Sequence, residues 1–95
     1  MNKIDYEARR EIYEKAIARN GTLLQCIVAV EELSEAQKEV CKLLREEGST
    51  DRLAEEIADA TIMLEQLRLM FDVNEKVCSY MDEKVQRLSD LIESR

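Results

Sequence analysis

The sequence has no histidine, no proline and only two glycines. Without histidine, nucleophilic catalysis by a Ser-His or Cys-His pair is excluded, and so are ferritin-like di-iron sites, whose ligand set needs Glu-x-x-His. Without proline, Gly21 and Gly48 are the main interruptions of an otherwise helix-favouring chain. Cysteine is scarce as well: Cys26, Cys41 and Cys78 are odd in number, far apart and free of CxxC spacing. Neither a disulfide framework nor a thiolate zinc site is expected, and the three read as small core residues. No apolar run approaches the roughly 20 residues of a membrane span, and the start MNKIDYEARRE lacks the apolar stretch of a signal peptide, so a cytoplasmic protein is expected. Positive charge is also in deficit, with 14 Lys and Arg against 21 Asp and Glu and a formal net charge of −7. Such a surface repels phosphate backbones and anionic lipid, so no nucleic acid polymer and no membrane is expected as a partner.

What is present is helical pattern. At 95 residues the chain reads as a single domain, residues 1–95, with a thin core that a partner subunit could complete. A first helix begins near Asp5 and closes at Asn20-Gly21. Thr22 and Gln25 fit a capping box that opens a second helix, which runs to about Glu47. Gly48-Ser49-Thr50-Asp51 stops it and offers the N-cap of a third, reaching about Phe71. Asp72-Val73-Asn74 is the last break, and the fourth helix carries Val77, Met81, Val85, Leu88 and Ile92 on one stripe. Four helices with short connections predict an all-α, antiparallel four-helix bundle.

Acidic pairs three residues apart are the chemical signal, and chance must be weighed first. A chain this acidic would carry about four or five such pairs at random, and five occur, so their surroundings have to discriminate. Glu11 with Glu14, Asp72 with Glu75, and Asp90 with Glu93 sit among ordinary surface or cap residues. Glu32 with Glu35 and Glu56 with Asp59 do not. On the third helix, a step of 100° per residue gives a core stripe of Leu53, Ile57, Ala60, Leu64, Leu67 and Phe71. Glu56 and Asp59 then continue an apolar row with Met63 and Met70. On the second helix, Cys26, Ala29, Val30, Leu33, Val40 and Leu44 form the expected core stripe, with Glu31, Glu32, Glu35 and Glu39 on its flank.

If these two helices pack antiparallel across the Gly48 turn, Glu32 and Glu35 face Glu56 and Asp59. Four half-shielded carboxylates repel one another and are pushed towards protonation unless a cation neutralises them. All-oxygen ligation favours a hard ion, Mg²⁺ first and Mn²⁺ second, and Mg²⁺ commonly binds substrate phosphates as well.

With EELSEAQKEV followed by LAEEIADATIMLEQL, and the lead-in GTLLQ, about half the chain resembles the MazG-like all-α nucleoside triphosphate pyrophosphohydrolases, the superfamily that includes relatives of dimeric dUTPase and dCTP pyrophosphatase. Its ExxE and ExxD signature is matched by Glu32 to Glu35 and Glu56 to Asp59. The resemblance implies Mg²⁺ held by Glu32, Glu35, Glu56 and Asp59, and hydrolysis of a nucleoside triphosphate between its α and β phosphates. Glu31, Glu35 and Glu55 are the candidates to orient the attacking water.

Candidate substrate contacts are Lys38 and Lys42 on the second helix, Lys84 and Arg87 on the fourth, and Gln25, with Asn20 beside it. Surface helices carry such cations routinely, and Asn20 and Gln25 also suit capping roles. Lys84 matches the family's Lys in the last helix, but Leu88 stands where the pattern has Asn four residues on. A further apolar row on the third helix, Ala58, Ile62 and Leu69, together with the resemblance, implies a homodimer or homotetramer. Two competing readings are a non-catalytic helical interaction module with the acids on solvated faces, and a metal or nucleotide sensor that keeps the ligands without turnover.

Overall fold

A computed structural model of the chain describes residues 5–94. Four α-helices follow one another: α1 (Tyr6–Asn20), α2 (Thr22–Leu44), α3 (Thr50–Met70) and α4 (Asn74–Glu93). No described residue lies in a strand, and no described helix is long and apolar enough to cross a membrane.

The helix ends follow local chemistry. Asp5 caps α1 by accepting from the Ala8 amide, and Ser49 caps α3 by accepting from the Arg52 amide, each satisfying an amide that the first helical turn leaves without a partner. Gly21, at φ +84°, ends α1 and starts α2 in a single residue. The expected Thr22–Gln25 capping box is absent, because Thr22 already lies inside α2 and no side chain caps that helix. Nor does α2 reach Glu47. It stops at Leu44, where Glu46 adopts φ +62°, the Glu46 amide donates to the Leu43 carbonyl and the Glu47 amide donates to the Lys42 carbonyl. That is the paired bonding of a Schellman turn without glycine at its left-handed position. Gly48 serves a different purpose, since a Cβ there would stand 3.1 Å from Lys42 Cβ and 3.2 Å from the Leu43 nitrogen. The α3–α4 turn repeats the motif with Asp72 at φ +51° and the Val73 amide donating to the Arg68 carbonyl.

Antiparallel packing of α2 on α3 is the main tertiary contact. Gln25 meets Gln66 at one end, and Glu39 meets Arg52 beside the turn. The seam consists of Gln25, Ala29, Glu32, Ala36 and Glu39 on α2, and Leu53, Glu56, Ala60, Met63, Leu67 and Met70 on α3, all buried or half-buried. Spacings alternate between three and four, the heptad register of left-handed helix pairs. The alanines allow close approach, and every other position on the α2 side is polar.

This register corrects the expected core. On α2, Ala29 is buried and Cys26 half-buried, but Val30, Leu33, Val40 and Leu44 are exposed. On α3, Ala60 is buried and Leu53 and Leu67 half-buried, while Ile57, Leu64 and Phe71 are open to solvent. Cys41 and Cys78 are likewise exposed, not core residues. The polar flank faces the neighbouring helix and the apolar stripe faces outwards; Gln25 and Glu39 find partners across the seam in Gln66 and Arg52, whereas Glu32 meets the acids Glu56 and Asp59.

The remaining helices are less embedded. α1 lies against both α2 and α3, anchored where the buried Tyr13 hydroxyl donates to Glu65, whose carboxylate also pairs with Arg9 at 3.3 Å. Burial, then the hydrogen bond and charge of Glu65, push the Tyr13 pKa up to about 12. Among the described residues, α4 packs against α3 alone, and Met81, Val85, Leu88 and Ile92 are exposed. The single chain is thus a helical hairpin with α1 laid on it and α4 extending from it. Its radius of gyration of 16.2 Å exceeds the roughly 12 Å of a compact domain of this length.

The buried amide relay is a testable feature of the hairpin. Asn20 donates to Gln25 Oε1 at 2.9 Å, and Gln25 Nε2 donates to Gln66 Oε1 at 2.6 Å. Gln25→Leu should cost about 1–3 kcal/mol by leaving the Gln66 oxygen buried without a donor. Gln25→Leu combined with Gln66→Leu should recover much of that loss. Urea denaturation of the three proteins measures both quantities.

Candidate metal centre

Midway along the seam, α2 supplies Glu32 and α3 supplies Glu56 and Asp59. Glu56 lies half-buried in the seam, and Asp59, one turn on at i+3, is exposed at its edge. One carboxylate oxygen from each of the three lies within 4.8 Å of the other two. Two oxygens on opposite sides of a Mg²⁺ ion stand about 4.2 Å apart, so small side-chain rotations suffice to close the group on a hard divalent ion. The donor set is all oxygen and anionic, and Glu56 Oε2 is shut off from solvent without a hydrogen-bond partner. An orphaned, buried carboxylate oxygen beside two further acids fits cation ligation.

Electrostatics point the same way. Glu32 is held above the ordinary carboxylate value by partial burial first, then by the charges of Asp59, Glu56, Glu35 and Glu31. Glu56 is raised by partial burial, then by Asp59, Glu35 and Glu39, with Arg52 opposing. Glu35 is therefore near enough to act on both residues, but it is exposed and its oxygens lie outside the group of three. Of the four expected ligands, three converge and Glu35 stands at the rim. Glu31 and Glu55 are exposed on α2 and α3.

The expected substrate contacts are dispersed. Lys38 is exposed on α2. Lys42 is engaged, its Nζ lying 3.2 Å from Glu39. Gln25 is only 5 % exposed and spends both ends of its amide within the chain. Lys84 and Arg87 are exposed on α4, which does not touch α2 among the described residues. The cleft between α1, α3 and α4, lined by Tyr6, Arg10, Tyr13, Glu65, Arg68 and Asn74, is separate from the carboxylates.

Glu39 is the residue whose importance the sequence reading missed. It is 2 % exposed, the most buried carboxylate described, and is flanked by Lys42 and by Arg52 at 3.6 Å. The signal was its position seven residues beyond Glu32, one heptad or two helical turns along the same row, with Lys42 three residues further. Glu39 Oε1 is buried without a hydrogen-bond partner beside the largely exposed Arg52, whose guanidinium also lowers the pKa of Glu56.

The raised groups fix a direction for pH. A carboxyl whose folded pKa lies above its unfolded value binds more protons when folded, so its contribution favours the native state at low pH and is lost as pH rises from the ordinary 4.5 through the raised value. The protein stripped of divalent ions should gain thermal stability as pH falls through that window. Glu56→Gln should be more stable than the parent at neutral pH and show a flatter dependence. Thermal unfolding followed by circular dichroism across the pH range tests this, and a parent and variant with parallel profiles would remove the repulsion argument.

The chain matches no protein-family model, and neither a curated protein nor a solved structure matches it.

Proposed function

We propose that this chain is a Mg²⁺-dependent nucleoside triphosphate pyrophosphohydrolase of the MazG-like type, able to use Mn²⁺ as a substitute, releasing a nucleoside monophosphate and pyrophosphate. The observation that carries this reading is the convergence of Glu32, Glu56 and Asp59 across the α2–α3 seam with an orphaned oxygen on Glu56. The resemblance of the two acidic motifs supplies the substrate class. Glu32, Glu56 and Asp59 would hold the ion, with Glu35 at the rim. A bound divalent ion offsets charge on phosphate oxygens and lowers the pKa of water. Glu31, Glu35 and Glu55, exposed on the same two helices, are the groups available to orient a water and accept its proton.

A triphosphate approaching a chain of net charge −7 needs cationic contacts as well. Lys38 lies on α2 itself. Lys84 and Arg87 would reach the carboxylates from α4 of another subunit in a homodimer or homotetramer, the assembly that the resemblance implies. A helical interaction module is the second reading, favoured by the exposed apolar stripes of α2 and α4.

Incubation with a panel of canonical and modified ribo- and deoxynucleoside triphosphates, with Mg²⁺ or with chelator, separates the two. Metal-dependent release of pyrophosphate is expected. Silence across the whole panel, with the protein folded and Mg²⁺ present, rules the hydrolase out. Asp59→Asn should lower turnover by more than the roughly 10–100-fold that follows loss of an outer-shell partner, with its helical circular dichroism unchanged. Glu11→Gln, far along the chain on exposed α1, should leave turnover as it is.

A further inference from the structure

We infer that the cleft between α1, α3 and α4 binds a single phosphate-type oxyanion, held by Arg68 and Arg10 beside the first turn of α4. The cleft is apart from the carboxylates, and this second site depends neither on a metal nor on hydrolysis.

One guanidinium stands apart from the other cations. Arg9, Arg10, Arg45 and Arg52 each lie within 3.6 Å of a carboxylate. Arg68 has no such partner among the described residues: its Nη1 donates to Asn74 Oδ1 at 3.3 Å and its Nη2 to Met81 Sδ at 3.5 Å, both neutral acceptors at long range. Yet Arg68 is half-buried, whereas every other described arginine is exposed. Two long bonds leave most of its five N–H donors unused, and a partly desolvated cation in that state favours an anion. In a chain with 21 acidic residues, the missing carboxylate is not a shortage of acids.

The surroundings define the ligand. Arg10 lines the same cleft from α1, and its bond to Glu14 is an exposed pair that yields readily to a stronger acceptor. Glu65 is the acid of the cleft, but both its oxygens are engaged, one by Arg9 and the other by the Tyr13 hydroxyl. Asn74 lines the cleft as the first residue of α4, a helix of 20 residues whose N-terminus no side chain caps. The first amides of α4 and the positive end of its dipole are therefore available beside Arg68. Forked guanidinium donors together with backbone amides match the oxygens of a phosphate group. The cleft has a volume of about 70 Å³, far below the roughly 300–1,000 Å³ that encloses a drug-sized molecule. It takes one small group, and any remainder of the molecule stays outside. Occupancy would join three helices, of which α4 is otherwise attached through α3 alone.

Titration of the isotope-labelled full chain with inorganic phosphate, in chelator and at constant ionic strength, followed by NMR, tests the site. Saturable shifts of the Asn74, Glu75 and Lys76 amides and of the Arg68 side-chain resonance are expected. No shift, or unsaturable shifts scattered over exposed cations such as Lys15 and Arg45, overturns the inference. Arg68→Gln should weaken phosphate binding about tenfold or more, whereas Arg45→Gln, which removes the same charge elsewhere, should leave it unchanged. Equal weakening by both would mean diffuse attraction and overturns the site. Should Arg68→Gln lose its helicity, the wild-type shift map decides alone. A nucleoside monophosphate in place of phosphate separates the sources: the same shifts identify a phosphate ester as a ligand, and shifts with inorganic phosphate alone identify the free anion. Pyrophosphate release without phosphate shifts would remove this site and keep the hydrolase, and shifts without pyrophosphate release would do the reverse.

Discussion

Mutual repulsion among carboxylates in the α2–α3 seam is the constraint around which the rest of the molecule is arranged. A helix pair built for stability alone would place leucine or isoleucine at the positions of Glu32, Glu39 and Glu56. Here partial burial and like charge both act against ionisation of Glu32 and Glu56, a cost that a fold accepts only with compensation elsewhere. Part of the compensation is visible: Arg52 and Lys42 flank the buried Glu39 and bring positive charge to the turn end of the seam. At the opposite end the Asn20–Gln25–Gln66 relay satisfies buried amides. In the middle of the seam, where Glu32, Glu56 and Asp59 meet, Arg52 opposes the repulsion on Glu56 from the turn end.

The same constraint explains why helix positions were legible in the sequence and helix faces were not. Gly21, Ser49 and the Asp72–Asn74 break marked the ends of elements through backbone chemistry that acts locally, and the observed boundaries follow them closely. The early stop at Leu44 was not visible, because a left-handed Glu46 does the work usually given to glycine. Apolar periodicity then pointed α2 in the wrong direction. It placed Val30, Val40 and Leu44 inside, on the rule that the most apolar stripe faces the core. That rule holds for a helix with one partner, whereas α2 has a polar seam on one side and a bare apolar stripe on the other.

The acidic site was partly legible for a related reason. Glu56 and Asp59 stood out because they interrupt an apolar row, a property of one helix that needs no tertiary information. Their meeting with Glu32 required only an antiparallel hairpin, which a short turn between two long helices dictates. The displacement of Glu35 to the rim, and the deep burial of Glu39, depend on the rotation of α2 about its axis. That rotation is set by Ala29 and Ala36, whose small side chains let α3 approach on that side, and nothing in the hydrophobic pattern weighs close approach above apolar area.

Polar seam and bare stripe are two aspects of one arrangement. If the apolar stripe of α2 turned inwards against α3, Glu32 and Glu39 would turn to solvent and the carboxylates would no longer meet. Holding the acids together across the hairpin therefore forces valine, isoleucine and leucine outwards, where water penalises each of them by the area it exposes. A chain of this length has too little interior to hide both a charged seam and an apolar stripe. The outward stripe is the structural counterpart of the inward acids.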